Sequence, residues 1–198
     1  LANTTKIHAH SDFVTDFDFA PWDDYLLATG SADSTVRIWD LPKDGVSDNI
    51  STARATLTES KRVESVLWNP ITEGVLALST FKTVKVYDVS PEQEKFTLPD
   101  HADQVQSISW KADGSLLISS CKDKKIRVMD PRASSVVQEA NGHDHIKDSR
   151  ALWLGNTDQA LTTGFDSMRM REVAVRDVRN LREPLKILQL DTSTGSLM

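Results

Sequence analysis

Cysteine is almost absent: Cys121 is the single one among 198 residues, so no internal disulfide can form. That fits a reducing compartment. Glycine is scarce too. The eight glycines are scattered, and none builds a phosphate-cradling loop. No apolar run is long enough to span a bilayer, so no transmembrane segment is expected. The start Leu1-Ala2-Asn3-Thr4-Thr5 is not a signal peptide. It also lacks methionine, and the chain is read as cut from something longer. Positive charge is in deficit. Lys and Arg number 23 against 29 Asp and Glu, a formal net charge of −6. An acidic balance argues against a general nucleic-acid binder, which needs a basic footprint.

What the chain does have is repetition. Four segments end alike: Val36-Arg37-Ile38-Trp39-Asp40, Val84-Lys85-Val86-Tyr87-Asp88, Ile126-Arg127-Val128-Met129-Asp130 and Val173-Ala174-Val175-Arg176-Asp177. Each is a short alternating strand closed by an aspartate. The aspartates recur about every 42–48 residues, near the ~40–45 of WD-type propeller blades. Apolar strands precede these endings: Leu26–Gly30, Val75–Ser79, Leu116–Ser120 and Ala160–Gly164. Before those come strands closing on an aromatic residue: Phe19, Trp68, Trp110 or Trp153. Period-two alternation gives each strand one face toward each neighbouring blade. Turns such as Pro21-Trp22-Asp23-Asp24 and Asp113-Gly114 separate the strands.

The expected fold is therefore all-β: a partial WD-repeat β-propeller of about four consecutive four-stranded blades, from a propeller of seven. The whole of 1–198 is one array, with units at 8–57, 58–98, 99–139 and 140–190. Stretches 42–49 and 90–94 are the linker candidates, leading to outer strands at Ala53–Leu57, Lys95–Leu98, Val136–Glu139 and Leu185–Leu190. Thr5-Lys6-Ile7 is expected to be the outer strand of a preceding blade. The missing blades are expected partners of the faces bearing Leu161, Val173, Val175, Phe17 and Leu27.

Polar residues recur as well. The first unit holds His10, Thr29, Asp33 and Trp39, the set that forms a hydrogen-bonded tetrad in WD repeats. A buried carboxylate needs donors, and a histidine and a hydroxyl supply them. The third unit offers His101, Ser119 and Asp123, with Met129 in place of tryptophan. The second has no matching histidine, carries Phe81 at the turn and is expected to rely on packing. The fourth offers His143 and Thr163.

Catalytic and metal readings compete with this one. His8-Ala9-His10 and His143-Asp144-His145 place alternate histidines on one face, but no cysteine or carboxylate cluster of ligand spacing accompanies them. Cys121 could be a nucleophile beside His101; as a small apolar residue at a strand end it needs no such role. Asp33 and Asp123 occupy equivalent turns of different units, which marks structural carboxylates rather than an acid–base pair. No enzyme, cofactor or metal is expected. Lys122, Lys124, Lys125 and Arg127 are either a solvated hairpin turn with Ile126 inward or a binding patch. Arg169 and Arg171 belong to a second basic cluster with Arg176, Arg179 and Arg182. That cluster is read as surface ion pairs or a protein-binding face.

The last third is more specific. The stretch Leu161-Thr162-Thr163-Gly164-Phe165, then Met168 to Arg171 and Glu172-Val173-Ala174-Val175-Arg176-Asp177, resembles the coronin family. So do Asn180–Leu185 and Leu190–Met198. The first unit, from His10-Ser11-Asp12 to Trp39-Asp40, is similar to the family's early blades. Asp148-Ser149-Arg150 looks like the long, tandem-propeller type. Arg176 stands where the family has tryptophan, and Asp166 and Arg169 where it has serines. The resemblance implies a cytosolic, cytoskeleton-associated platform. Short coronins bind actin filaments through a basic propeller surface, and tandem ones are linked to actin organisation, membrane traffic and the Golgi. The alternative is a WD-repeat adaptor presenting protein substrates to another enzyme, such as a ubiquitin ligase.

Overall fold

The computed structural model describes residues 6–46, 48–193 and 195. Thr5, Ser47, Thr194 and Ser196–Met198, on which parts of the sequence reading fell, lie outside them. Among the described residues, sixteen strands form four antiparallel sheets. Blade 1 contains β1 Val14–Ala20, β2 Asp23–Ser31, β3 Thr35–Asp40 and β4 Ala55–Thr58. Blade 2 contains β5 Ser65–Trp68, β6 Val75–Ser79, β7 Val84–Asp88 and β8 Gln93–Thr97. Blade 3 contains β9 Val105–Trp110, β10 Leu117–Cys121, β11 Lys125–Asp130 and β12 Ser135–Asn141. Blade 4 contains β13 Arg150–Trp153, β14 Gln159–Phe165, β15 Arg171–Asp177 and β16 Asn180–Gln189.

Strands pair in sequence order within every blade, because short turns join antiparallel neighbours. The register is repeated. Leu27 faces Phe19 on one side and Trp39 on the other; Leu76 likewise lies between Trp68 and Tyr87, Leu117 between Trp110 and Met129, and Ala160 between Trp153 and Arg176. Trp39, Tyr87, Met129 and Arg176 thus share one position.

First strands of successive blades lie side by side: β1 against β5, β5 against β9, β9 against β13. The core is consequently not one centre but three layers between blades. Ala28, Ile38 and Leu57 of blade 1 pack on Val66, Trp68 and Leu78 of blade 2. Val86 packs with Trp110, Leu117 and Met129 between blades 2 and 3. Ile118, Ile126 and Val128 pack with Trp153, Ala160 and Leu181 between blades 3 and 4.

Hydrogen bonds cross these layers in one recurring form. The indole N–H of Trp68 donates to the Asp18 carbonyl at 3.1 Å, that of Trp110 to Leu67 at 3.2 Å, and that of Trp153 to Ser109 at 3.2 Å. The acceptor always directly precedes the equivalent aromatic of the previous blade. Trp is the one aromatic with a ring donor and enough apolar area to fill the layer around it.

Some expectations change. The outer strands begin or end a few residues from the expected bounds, and β16 starts at Asn180 because it pairs with β15 from its turn onward. Ile7 has a pairing that was not expected. It forms a parallel bridge to Ile50, with Ile50 N–H donating to Lys6 O and His8 N–H to Ile50 O. Leu27 is buried rather than open. Phe17 is 63% exposed, and Leu161, Val173 and Val175 are half-buried.

Candidate functional site

Antiparallel order puts the turn after each second strand at the same edge as the loop entering each first strand. Histidines, turn carboxylates and basic turns therefore gather along one face. In blade 1, His10 Nε2 lies 2.7 Å from Thr29 Oγ1 and its Nδ1 3.1 Å from Asp33 Oδ2. Trp39 Nε1–H donates to Thr29 Oγ1 at 2.9 Å. Asp33 also accepts from Thr35 Oγ1–H at 2.6 Å and from the Thr35 and Ser11 N–H groups. Burial alone would raise the Asp33 carboxyl; those hydrogen bonds, with His10 beside it, overcome burial and hold it well below the usual range.

The other blades solve the same position differently. In blade 3, His101 Nε2 reaches Ser119 Oγ at 2.8 Å, but its Nδ1 faces the Lys82 carbonyl of blade 2, not Asp123. Asp123 instead takes a bidentate pair from Arg127. Met129 is fully buried and offers no donor. Burial, then the Arg127 charge, depress the His101 pKa.

Blade 2 does not rely on packing alone. Glu59 stands four residues before Val63, as His10 does before Val14 and His101 before Val105. Its carboxylate accepts the Tyr87 hydroxyl at 2.7 Å and the Lys85 ammonium at 3.0 Å. Tyr87 is at the tryptophan position, so a Glu–Tyr pair replaces His–Trp. Burial and Glu59 push the phenol pKa up.

In blade 4 the hydroxyl partner of His143 is Thr162, at 3.1 Å, and not Thr163. Register explains the slip: Ala151 faces Thr162 as Phe17 faces Thr29, and one residue's shift turns a side chain to the other face. Glu172 accepts from His143 Nδ1 at 2.6 Å, doing the turn aspartate's work from β15. Arg176 substitutes for indole. It is buried, points Nε at Thr162 Oγ1 and donates to the Leu181 and Gly142 carbonyls. Gly164 lies against the His143 ring, where a Cβ would come within 2.4 Å.

No catalytic constellation emerges from these groups. Both nitrogens of His10 and of His143 are spent inside the blades, and His145 Nδ1 accepts the Lys147 N–H. Among the described residues no three His, Cys, Asp or Glu side chains converge as metal ligands. Cys121 is buried at the end of β10 and its thiol pKa is raised, chiefly by burial. His101 is engaged elsewhere.

The basic residues divide into two kinds. Arg127 is buried and held by Asp123 and Glu139, so it is no surface contact. Its face of β11 is the face of the polar network, at the position that Arg37 and Lys85 hold in blades 1 and 2. Lys125 is tied to Glu139, and Arg171 to Asp191 through two bonds. Lys122, Lys124 and Arg169 are exposed. Lys124 and Arg169 sit at the left-handed corner of their turns (φ 67° and 66°), which aims them outward. The Arg169 turn is rigid: Asp166 Oδ1 accepts the N–H groups of Met168 and Met170, both at 2.8 Å.

Four ordered blades, docked face to face through indole bonds and closed by His–hydroxyl networks in blades 1, 3 and 4 and a Glu–Tyr pair in blade 2, define a WD-repeat propeller segment. The family model described as WD domain, G-beta repeat matches residues 2–40 and 92–130. Human Coronin-7 is 42% identical over 190 residues, 96% of this chain and 20% of that protein. Human Coronin-2A is 36% identical, over 97% of this chain and 38% of that protein. The solved WD40 domain of Toxoplasma gondii coronin superposes with a TM-score of 0.90 at 32% identity, covering 94% of this chain and 50% of that one. The chain belongs to the coronin family, and the Coronin-7 match supports the long tandem-propeller type. It spans about a fifth of the length of the Coronin-7 relatives.

Proposed function

We propose that this segment serves a coronin-type, non-enzymatic interaction platform that binds actin filaments and organises the cytoskeleton, in the cytoplasm. Similarity to coronins over nearly the whole chain carries this reading. The polar networks support it: they are consumed largely inside the blades, leaving turns rather than a reaction centre to meet partners. Membrane traffic, as in the tandem type, is part of the same proposal. So are the unit bounds 8–57, 58–98, 99–139 and 140–190, and the assignment of His10, Thr29, Asp33, Trp39, His101, Ser119 and Asp123 to structural roles.

The contact face is the one bearing Lys122, Lys124 and Arg169. Lys125, Arg127 and Arg171 are committed to internal carboxylates. Co-sedimentation of the full-length protein with actin filaments tests the proposal. Reversing Lys122, Lys124 and Arg169 to glutamate should weaken pelleting, and raised salt should weaken it in the parent, since exposed charges are screened over ~8–10 Å. Full-length protein that stays in the supernatant at low salt would overturn actin binding.

A further inference from the structure

A pocket between blades 2 and 3, at the edge opposite the basic turns, has a shape and charge that none of the preceding account uses. Its volume is about 330 Å3. Val75, Val86, Phe96 and Trp110 line it, with Lys95 and Arg132 among its polar residues. Ligand sites are concave and mostly apolar, with a few converging polar groups, and start near ~300 Å3.

The pocket is preformed. Asn69 braces it, accepting the N–H groups of Ile71 and Thr72 and donating to the Gly114 carbonyl at 3.0 Å. Gly114 has φ +69°, and a Cβ there would come within 2.5 Å of the Asn69 amide oxygen. Neither side of this contact can relax without losing it.

A β-bulge shapes the opposite wall. Val86 pairs with Phe96 and Tyr87 with Glu94, so Lys95 is the extra residue. A regular strand sends neighbours to opposite faces, whereas a bulge re-aims them. Lys95 and Phe96 consequently both line the pocket. The same bulge recurs in blades 3 and 4, between Val128 and Met129 and between Val175 and Arg176. Val137 and Leu185 are the extra residues there, so the cation is particular to blade 2.

Charge decides the ligand class. Asp113 is consumed by the Ser115 hydroxyl and Lys111. Lys95 pairs with Asp88 at 2.9 Å outside the lining. Arg132 is exposed, and among the described residues only its backbone N–H is engaged, by Asp130. Its planar guanidinium is matched to carboxylate. We infer that this pocket binds a short peptide segment of a protein partner, one bulky apolar side chain seated between Phe96 and Trp110 with an adjacent carboxylate on Arg132.

The test uses fluorescence anisotropy on the full-length protein. The probe is a labelled five-residue peptide with phenylalanine between two glutamates; its counterpart has lysines in their place. The glutamate peptide should bind saturably and the lysine peptide about tenfold more weakly, as charge-assisted hydrogen bonds are worth ~1.5–3 kcal/mol. Arg132→Glu should weaken the glutamate peptide by a similar factor. Phe96→Ala should abolish saturation while the protein's melt remains cooperative. Arg179→Glu, whose guanidinium already pairs with Asp177, should leave binding unchanged. Equal binding of the two peptides, or no response to Arg132→Glu, overturns the inference.

Discussion

At the scale of single residues, buried hydrogen-bonding groups dominate. Asp33 gathers His10, Ser11 and Thr35 at one corner of blade 1. Asp33→Ala strips partners from all three and should cost about 1–3 kcal/mol. A thermal melt within a degree of the parent would count against this. Two histidines give a pH signature. Burial depresses His101, and depresses His143 although Glu172 pulls the other way. Both folded pKa values lie below the ordinary 6.5. The unfolded chain therefore takes up protons first on acidification, and stability is complete above pH ~6.5 and falls below it. The Asp33 and Asp123 carboxyls are depressed from 3.8, so their contribution persists until the pH drops below that value. The melting temperature should thus fall between pH 7.5 and 5.5, and fall less in His101→Gln, which retains an N–H for Ser119. An equal drop in both proteins would show that His101 is not a source of the acid sensitivity.

At the scale of strands and turns, the blade layout was legible because period-two alternation and the closing aspartates are local signals. Trp39 and Trp110 announced their strands. Thr162 and Thr163 defeated the reading: two identical neighbours leave the facing residue to a register that only pairing fixes. Glu59 was missed because a glutamate in a loop ordinarily reads as solvated. Counting four residues back from Val63 would have found it, as it finds His10 and His101. Arg127 was misread since it ends a lysine-rich turn, although Arg37 and Lys85 occupy the same strand position. The Glu59–Tyr87 pair makes a sharp prediction. Tyr87→Phe removes the hydroxyl and leaves Glu59 buried with Lys85 as its remaining side-chain partner. Urea melts should show a loss of about 1–2 kcal/mol. Glu59→Gln in the Tyr87→Phe background should then cost little more, because the two changes act on one network.

At the scale of the whole molecule, the layers between blades explain why the segment has two unlike ends. Phe17 and Phe19 on blade 1, and Leu152, Leu185 and Leu188 on blade 4, are substantially exposed. Apolar sheet faces of this kind associate. Residues 1–198 expressed alone should sediment as a mixture whose mean mass rises with concentration, and should melt below the full-length protein. A concentration-independent monomer in analytical ultracentrifugation would show that four blades are self-sufficient.

The indole bonds between blades also have a direction. Each tryptophan reaches back to a carbonyl on the strand made before it, so a blade leaving the ribosome finds its acceptor already displayed. Synthesis order and docking order coincide, and the sector can grow one wedge at a time without waiting for distant sequence. Phe19 breaks the series. Its ring has no N–H to offer, so blade 1 cannot clasp an upstream neighbour in the way blades 2, 3 and 4 clasp theirs. In a closed ring that junction would lack the indole bond which the three described junctions share.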